Sequence, residues 1–421
     1  MAMSIHVSLL SGRSVRLRAP PSATVQDLRQ AAQKTLRTGI ASLVSSEGEL
    51  LGPEKCVGEV GLLEGDRITA TAQQARIVSC RRCPGFFLVR GDGSVLAWGD
   101  VCSGSPGLPR ELRGVRQVAA CSGGLAALLS NGQVLSWGSS CPKEAGRLTD
   151  VREIQATEEA FAVLLGDGSV VCWGSERLGG NSAEVKEQLF DIKFLAASLG
   201  AFVAIREDGR IISWGQHCYG ARSVDEPYEL HGVLQLVATR GAFAALLDTG
   251  GVVSWGQGVR NAESRASLCQ LREVIQLSAS EEAFAAVRRD GRVVLWGRNA
   301  FSGVRQLRGV QRVVATRFAF AALLEDGRVV TWGDVHYGGD SKALRHQLSE
   351  VCDLWASCAA FAALRADGSV VTWGDARYGG DSAAVAEQLR DVRRLAVMPS
   401  LGEINDLLRS RREDSSSSSS S

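Results

Sequence analysis

The 421-residue sequence lacks several features that would point to familiar classes of function. No apolar stretch approaches the length of about 18 residues that a membrane-spanning helix needs. The formal net charge is only +1, so the chain as a whole offers no electrostatic attraction to nucleic acid. The opening Met-Ala-Met-Ser has no basic-then-apolar secretion pattern. We therefore expect a cytoplasmic or nuclear protein with neither a membrane nor a nucleic-acid partner.

The usual signatures of catalysis and metal binding are also missing. The sequence contains no Walker-type phosphate loop, no nucleophile elbow and no His-Glu-x-x-His helix. Its five histidines form no cluster at ligand spacing. Cys80-Arg-Arg-Cys83 is a lone CxxC, without the second pair that a zinc site would require. We expect no catalytic residues, no cofactor and no metal, and the sequence alone does not favour a redox role for this motif.

Cysteine usage favours a reducing compartment. There are 11 cysteines, an odd number, spread widely along the chain. Some fall within apolar strand-like runs, as Cys172 does. A disulfide framework is therefore a poorer interpretation than a set of free thiols.

A hairpin-like unit occurs eight times. Each unit ends in Trp-Gly, and the tryptophans are 36 to 41 residues apart: Trp98, Trp137, Trp173, Trp214, Trp255, Trp296, Trp332 and Trp373. A glycine lies five residues before each: Gly93, Gly132, Gly168, Gly209, Gly250, Gly291, Gly327 and Gly368. A large apolar residue lies twelve before: Phe86, Leu125, Phe161, Phe202, Phe243, Phe284, Phe320 and Phe361. A fixed period of about 40 residues indicates a repeat architecture.

Each unit predicts at least three short strands. Between Phe320 and Trp332, two apolar runs flank Asp326-Gly327, a dipeptide that favours a two-residue type I′ hairpin turn. A third run, Val313 to Ala315, lies upstream. Small β units of this length stack economically in a ring, because closure removes exposed sheet edges. We predict a mainly β propeller of seven to eight short blades, with the aromatic residues packed between blades as structural core.

The hairpins resemble repeats of the regulator-of-chromosome-condensation family, which are β-propellers also found in large HERC-type ubiquitin ligases. The matching residues are the run Asp-Gly-x-Val-x-x-Trp-Gly and a connector that reads Tyr378-Gly-Gly-Asp-Ser382 before Gln388-Leu389. The resemblance covers residues 76–398. Family propellers usually close with seven blades, so eight hairpins indicate eight blades, or seven and an imperfect one.

Two departures limit what this resemblance implies. Family repeats often carry a histidine where this sequence has glycine or alanine, as at Ala319. The exchange factor that names the family uses a protruding wedge to release nucleotide from a small GTPase. No segment between two tryptophans here is long enough for an obvious wedge. Exchange activity on a small GTPase is therefore the least favoured of the functions considered.

Residues 1–75 have a different pattern. Alternating apolar residues on both sides of Ser11-Gly12 predict a β-hairpin, and Ser22 or Thr24 can cap a following helix. Short strands are predicted around Leu43-Val44, Leu50-Leu51 and residues 67–71. This ββαββ order resembles a ubiquitin-like β-grasp domain, as do Thr24-Val-Gln-Asp-Leu28 and Leu62-Leu-Glu-Gly-Asp-Arg-Ile68.

The ubiquitin-like resemblance implies one candidate partner patch. The apolar recognition patch of ubiquitin maps onto Leu10, Val44 and Thr71. Conjugation to a substrate is not expected, because Ala72-Gln-Gln74 runs directly into the repeats. The domain can bind a partner through this patch, or it can serve only as a packing module on the propeller.

The last segment, 399–421, ends in seven serines and is predicted to be a flexible tail. Just before it, Val392 to Val397 reads as a further strand, which we expect to pair with the first blade and close the ring. Fewer than thirty residues follow the repeats in this sequence, so we do not expect a HECT catalytic lobe. The sequence favours a monomeric, noncatalytic protein-interaction scaffold with protein partners. A ubiquitin-pathway adaptor and a GTPase regulator are the alternatives.

Overall fold

A computed structural model of the chain describes residues 2–9, 14–36, 40–72, 76–80, 82–90, 93–100, 112–138, 148–221, 229–259, 270–298 and 307–389. These residues form two compact units. The first contains the residues up to Arg76 together with Leu88–Leu96 and Leu112–Gly114, and the second contains the remainder.

The N-terminal part of the first unit is a four-stranded sheet with one helix. Its elements are β1 (Met3–Leu9), β2 (Ser14–Ala19), α1 (Val25–Leu36), β3 (Ile40–Val44) and β4 (Arg67–Ala72). The strand order is β2-β1-β4-β3, with β1 parallel to β4 and the other pairs antiparallel. Val25, Leu28 and Ala32 recur on one face of the helix and are buried with Ile5 and Val7 of the sheet. This is the β-grasp arrangement that the sequence predicts.

The helix begins with a reciprocal cap. The Thr24 hydroxyl accepts a hydrogen bond from the Asp27 amide at 3.1 Å, and the Asp27 carboxylate accepts from the Thr24 amide at 3.0 Å. Two donors that a helix start leaves unpaired are thereby satisfied. Hydrogen bonds from the Thr24 amide and hydroxyl lower the pKa of Asp27.

The prediction of one strand in this unit is wrong. Leu50-Leu51 does not form a strand, and only an isolated bridge joins Leu50 to Val44. The reason is a tight turn in which the Ser45 amide donates to the Glu49 carbonyl and Gly48 has a φ of +88°. The chain turns back for too short a distance to extend the pairing. The predicted turn at Ser11-Gly12 lies outside the described residues.

The repeats form eight antiparallel three-stranded sheets within the described residues, which we call blades 1 to 8. In blades 1 to 4 the strands are β5 (Arg76–Val78), β6 (Gly85–Val89), β7 (Val95–Gly99); β8 (Val115–Cys121), β9 (Gly124–Leu129), β10 (Val134–Gly138); β11 (Val151–Ala156), β12 (Ala160–Leu165), β13 (Val170–Gly174); and β14 (Ile192–Ala197), β15 (Ala201–Arg206), β16 (Ile211–Gly215). In blades 5 to 8 they are β17 (Val233–Ala238), β18 (Ala242–Leu247), β19 (Val252–Gly256); β20 (Val274–Ala279), β21 (Ala283–Arg288), β22 (Val293–Gly297); β23 (Val310–Ala315), β24 (Ala319–Leu324), β25 (Val329–Gly333); and β26 (Val351–Ala356), β27 (Ala360–Arg365), β28 (Val370–Gly374). The mainly β propeller predicted from the sequence is confirmed, with eight blades.

The hairpin turns differ from the predicted type. In blade 7 the Gly327 amide donates to the Leu324 carbonyl and the Leu324 amide donates to the Arg328 carbonyl, which makes a three-residue loop. Gly327 has a φ of +76°, but Asp326 is not among the residues with positive φ. A type I′ turn needs positive φ at both central residues, so the I′ assignment is wrong. The loop is a type I turn followed by a glycine bulge.

Aspartate occurs before this glycine for a local reason. Its carboxylate accepts a hydrogen bond from the amide two residues later, as Asp326 accepts from Arg328 at 3.0 Å. A glycine is required at the next position because its backbone lies against the following blade. A Cβ on Gly327 would come within 3.1 Å of the Glu350 Cα, and φ is positive there.

Backbone hydrogen bonds join successive blades at both ends of the sheets. One series lies at the end of the sheets that carries the hairpin turns. There the carbonyl of the hairpin glycine in one blade accepts a hydrogen bond from an amide at the start of the next blade. This bond occurs at every junction from that of blades 1 and 2 to that of blades 7 and 8. The second series lies at the other end, in the turns between first and second strands. An amide in the turn of one blade donates to a carbonyl in the turn of the next blade, at every junction from that of blades 2 and 3 to that of blades 8 and 1. The last of these is the 3.0 Å bond from the Cys358 amide to the Cys83 carbonyl. Between them the two series cover every junction of a closed eight-bladed ring.

Side chains confirm the closure between blades 8 and 1. The Trp98 indole donates to the Gly379 carbonyl at 3.2 Å, although 281 residues separate them. Trp214 donates to Gly179 and Trp373 to Gly338 in the same way, each at 3.0 Å across an interior junction. The predicted closing strand Val392 to Val397 lies outside the described residues.

A stacked pair of rings fills the space between adjacent blades. The phenylalanine of the second strand stacks on the tryptophan of the third, with ring centroids 5.1 to 5.8 Å apart. All eight repeat tryptophans are buried, with exposed fractions between 0% and 8%. The rings of blade 4 pack on Ala160, Ala162 and Leu164 of blade 3. Small residues at alternate positions of the second strand therefore make room for the rings of the next blade.

The residue that precedes the first strand of blade 6 has a strained backbone conformation. Glu273 precedes blade 6 with a φ of +54°, whereas Gly232 and Gly309 occupy the equivalent position in blades 5 and 7. A left-handed conformation costs a residue with a side chain about 1–2 kcal/mol. We expect Glu273→Gly to raise the free energy of unfolding by about 1 kcal/mol in denaturant titrations. Glu273→Ala removes the same charge but keeps the strain, and an equal gain from it would contradict the explanation.

Candidate functional site

The two ends of the propeller sheets differ in what they present. We call the end with the turns between first and second strands the turn face, and the opposite end the hairpin face. The connector that follows Trp-Gly also starts on the turn face, because the Asp334 amide donates to the Phe318 carbonyl at 3.0 Å. Asp375 and Asp100 make the equivalent bonds to Ala359 and Pro84. The turn face therefore combines two sets of loops.

The acidic residues after Trp-Gly hold the connectors. The Asp334 carboxylate accepts from the His336 amide and starts the 3-10 turn Val335–Tyr337. Asp375 does the same for Ala376–Tyr378, and its hydrogen bonds to Arg377 lower its pKa. Both carboxylates therefore hold local turns at the start of their connectors.

A buried hydroxyl supports the turn in six of the blades. It lies four residues before the stacked phenylalanine: Thr157, Ser198, Thr239, Ser280, Thr316 and Ser357. The Ser357 hydroxyl accepts from the Ala360 amide at 3.1 Å and donates to the Tyr378 carbonyl at 2.8 Å. It thereby joins the turn of blade 8 to the connector of the same blade. Sequence reasoning missed these residues, although their spacing from the phenylalanine is constant.

Removing one of these hydroxyls should destabilise the turn face. Ser357→Ala leaves the buried Ala360 amide and the Tyr378 carbonyl without this partner, and such an unsatisfied group costs about 1–3 kcal/mol. We expect a loss of that size in the free energy of unfolding, measured by urea denaturation. Ser357→Thr keeps the hydroxyl that Thr157 and Thr316 supply in other blades, so it should stay within about 0.5 kcal/mol of the parent. A Thr variant as unstable as the Ala variant would contradict this role.

On this constant frame the exposed side chains change from blade to blade. Blade 7 presents an aromatic and charged cluster of Arg317, Phe318, Val335 and Tyr337. The Phe318 and Tyr337 rings meet edge to face with centroids 4.8 Å apart, and the Arg317 guanidinium lies 6.0 Å from the Phe318 centroid. Val335 is 64% exposed. Phe318 and Tyr337 are half-buried, so the cluster is a fixed surface with one projecting apolar residue.

The positively charged residue of this cluster, Arg317, forms a partly buried ion pair. The Arg317 Nε lies 2.7 Å from the Glu281 carboxylate of blade 6, which is 3% exposed. Burial opposes the charge on Arg317, but the hydrogen bond and the Coulomb attraction to Glu281 outweigh it and raise the pKa of the guanidinium. The pair fixes Arg317 against the rings, where a cation over an aromatic face is favourable.

The patch predicted on the β-grasp part is only partly described. Leu10 and the side chain of Thr71 lie outside the described residues, and Val44 is half-buried. Two other leucines of this unit are more exposed, Leu50 at 71% and Leu63 at 67%. The exposure of Leu50 does not follow from the sequence pattern, because that pattern predicts a strand there.

The described part of the chain contains neither a cluster of metal-ligating side chains nor a membrane-spanning helix. Within it, no group of three or more His, Cys, Asp or Glu side chains is placed to hold a metal ion. Of the helices in that part, none has the length and apolar content to cross a bilayer. The eight cysteines that are described are all free thiols.

Comparisons with known proteins add only structural likeness. No protein-family model matches the chain, and no curated protein matches it. The ectodomain of the Arabidopsis thaliana receptor kinase ACR4 is 17% identical over 62% of this chain and 97% of its own, with a TM-score of 0.43. Yeast RCC1 (Prp20), solved bound to Kap60, is 16% identical over 60% of this chain and 80% of its own, with a TM-score of 0.41. The ubiquitin-like domain of Plasmodium falciparum Dsk2 is 14% identical over 17% of this chain and 99% of its own, with a TM-score of 0.16.

Proposed function

We propose that the protein is a noncatalytic interaction scaffold that binds a protein partner on the turn face of its propeller. The observation that carries this proposal is the cluster of Arg317, Phe318, Val335 and Tyr337 on a rigid frame. Aromatic residues and arginine are enriched in protein interfaces, and fixed side chains lose little entropy on binding. Loops that vary on a constant scaffold are the usual place for recognition.

The proposal is tested by comparing one substitution on each face. Val335→Asp places a charge on the exposed apolar residue of the cluster, and Ala366→Asp places the same charge on an exposed hairpin turn of blade 8. Neither side chain is part of the core, so both variants should fold. In quantitative affinity purification from the native cell, we expect partners to be lost at least tenfold with Val335→Asp and retained with Ala366→Asp. Retention by both variants, or loss only with Ala366→Asp, would refute the assignment of the turn face.

A second candidate is a ubiquitin-pathway adaptor, and the β-grasp sheet order favours it. Here the binding surface would include the exposed Leu50 and Leu63 of the first unit. Binding of the whole chain to purified ubiquitin-receptor subunits of the proteasome tests this idea. Specific binding that is lost in Leu50→Asp or Leu63→Asp would support it, and no binding at micromolar concentrations would exclude it.

A further inference from the structure

Blade 1 departs from the repeat pattern in the turn between its first two strands. Six blades place a buried hydroxyl four residues before the stacked phenylalanine, but blade 1 has Arg82 there. Its guanidinium donates to the Ala156 carbonyl of blade 3 at 2.7 Å and to the Ser198 carbonyl of blade 4 at 3.0 Å. The first strands of successive blades are neighbours, so this side chain reaches across the interior of the ring.

Arg82 brings a positive charge into this interior, and among the described residues no carboxylate is bonded to it. Its hydrogen bonds go to backbone carbonyls, so Glu281 and Glu158 act on it only by Coulomb attraction. Its Nε atom is buried without a hydrogen-bond partner in the described part of the chain, and burial lowers the pKa of the guanidinium. A buried charge is costly unless an opposite charge lies nearby. The Cys80 thiolate is a further negative group that favours the charge on Arg82.

Cys80 lies on the same cavity as Arg82. This cavity has a volume of about 230 Å³ and is lined by Ser79, Cys80, Arg82 and Gln117 together with residues of the first strands of blades 2 to 4. Cys80 is half-buried and forms part of the wall of this cavity. The Gln117 side chain is fixed by two hydrogen bonds to the backbone of Ile154, which keeps the cavity wall rigid.

A second thiol is held beside Cys80 by a tight turn. The Cys83 amide donates to the Cys80 carbonyl at 2.8 Å, which closes the CxxC segment. A hydrogen bond from the Cys83 thiol lowers the pKa of Cys80 to about 7, whereas burial raises the pKa of Cys83 well above its ordinary value. Cys358 is also close to Cys80 and Cys83, but burial raises the pKa of its thiol to about 12. Cys80 is therefore the more acidic thiol of the pair, and Cys83 is the less acidic one.

We propose that Cys80 and Cys83 form a peroxide-reactive dithiol in the interior of the ring, with Cys80 as the nucleophile and Cys83 as the resolving thiol. The Arg82 guanidinium stabilises the Cys80 thiolate, and the cavity admits hydrogen peroxide. The segment is also structural, because the Cys83 carbonyl accepts the Cys358 amide at the junction of blades 8 and 1. Oxidation at this site would therefore modify the residues that close the ring.

The chemistry balances with hydrogen peroxide as the only oxidant. The Cys80 thiolate attacks one peroxide oxygen, the O–O bond breaks, and the leaving hydroxide takes a proton to become water. The resulting sulfenic acid is attacked by the Cys83 sulfur, which forms the S–S bond and releases a second water. Two thiols lose two electrons and two protons in total, and one peroxide is reduced to two waters.

The direct test is thiol mapping of the reduced, full-length protein after exposure to hydrogen peroxide. Free thiols are blocked, and peptides are identified by mass spectrometry. We expect a Cys80–Cys83 disulfide that forms at least tenfold faster than oxidation of the exposed Cys218, because the pKa of Cys80 is lowered to about 7 and Cys83 lies beside it to complete the disulfide. Cys80 that stays reduced while Cys218 is oxidised would overturn the proposal, as would pairing of Cys80 with another cysteine.

Two variants separate the roles of the thiols. Cys83→Ser installs the residue that blade 2 carries at this position, Ser122, and should leave Cys80 as a sulfenic acid that dimedone traps. Cys358→Ser should leave the disulfide unchanged, since that thiol takes no part. The assignment would be contradicted if dimedone trapped no sulfenic acid in Cys83→Ser, or if the disulfide were lost in Cys358→Ser. The mapping of the unmodified protein decides the matter even if a variant fails to fold.

Discussion

Replacement of Trp296 by alanine is expected to lower the free energy of unfolding of the propeller by about 3–5 kcal/mol. Trp296 is completely buried, and its ring stacks on Phe284 with centroids 5.1 Å apart. Truncation removes apolar area from the space between two blades and leaves a cavity that the flanking strands cannot close. Urea denaturation followed by circular dichroism measures the loss.

The ninth tryptophan supplies the matched control. Trp355 is half-buried in the first strand of blade 8 and takes no part in the stacks of the repeat. Trp355→Ala should therefore cost about 1–2 kcal/mol, clearly less than Trp296→Ala. Equal losses in the two variants would show that the ring stacks are not the main core of the blades.

The second large effect is expected at the junction of blades 8 and 1. Gly379 has a φ of +94°, and a Cβ on it would come within 2.7 Å of the Phe86 ring and 3.3 Å of the Trp98 ring. Gly379→Ala combines backbone strain with an overlap in a packed interface, and we expect a loss of about 2–4 kcal/mol. Thermal and urea unfolding of the full chain measure it.

Gly258→Ala separates strain from overlap. Gly258 also has a positive φ, of +78°, but a Cβ added there would come no closer than 3.9 Å to its nearest neighbour, the Arg298 side chain. This variant should show only the cost of strain, about 1 kcal/mol. If Gly379→Ala is no more harmful than Gly258→Ala, the connector of blade 8 does not pack on blade 1.

The repeat pattern was sufficient to predict the propeller class, because each blade reuses the same few residue types. Phenylalanine and tryptophan twelve residues apart stand opposite each other in register, and the glycine between them forms the hairpin bulge. The turn type was wrong because Asp-Gly fits two geometries. The dipeptide occupies the centre of a type I′ turn, or the last two positions of a type I turn with a bulge, and the blade selects the second.

The site was less predictable than the fold. The buried hydroxyls could have been found from their spacing, since Ser or Thr precedes the phenylalanine by four residues in six units. The cluster of Phe318 with Tyr337 could not, because two separate loops meet only after the blade has formed. The role of Arg82 was hidden for the same reason, since its acceptors lie in blades 3 and 4.

Closure of the ring is tested most directly by hydrogen exchange of three tryptophan indoles, followed by NMR of the indole-labelled protein. Trp214 and Trp373 donate to a connector carbonyl across interior junctions, and Trp98 makes the same bond between blades 8 and 1. The closed eight-bladed ring predicts that the Trp98 indole proton is protected to within about tenfold of the other two. A Trp98 proton that exchanges as fast as an exposed indole, while Trp214 and Trp373 stay protected, would contradict the closed ring.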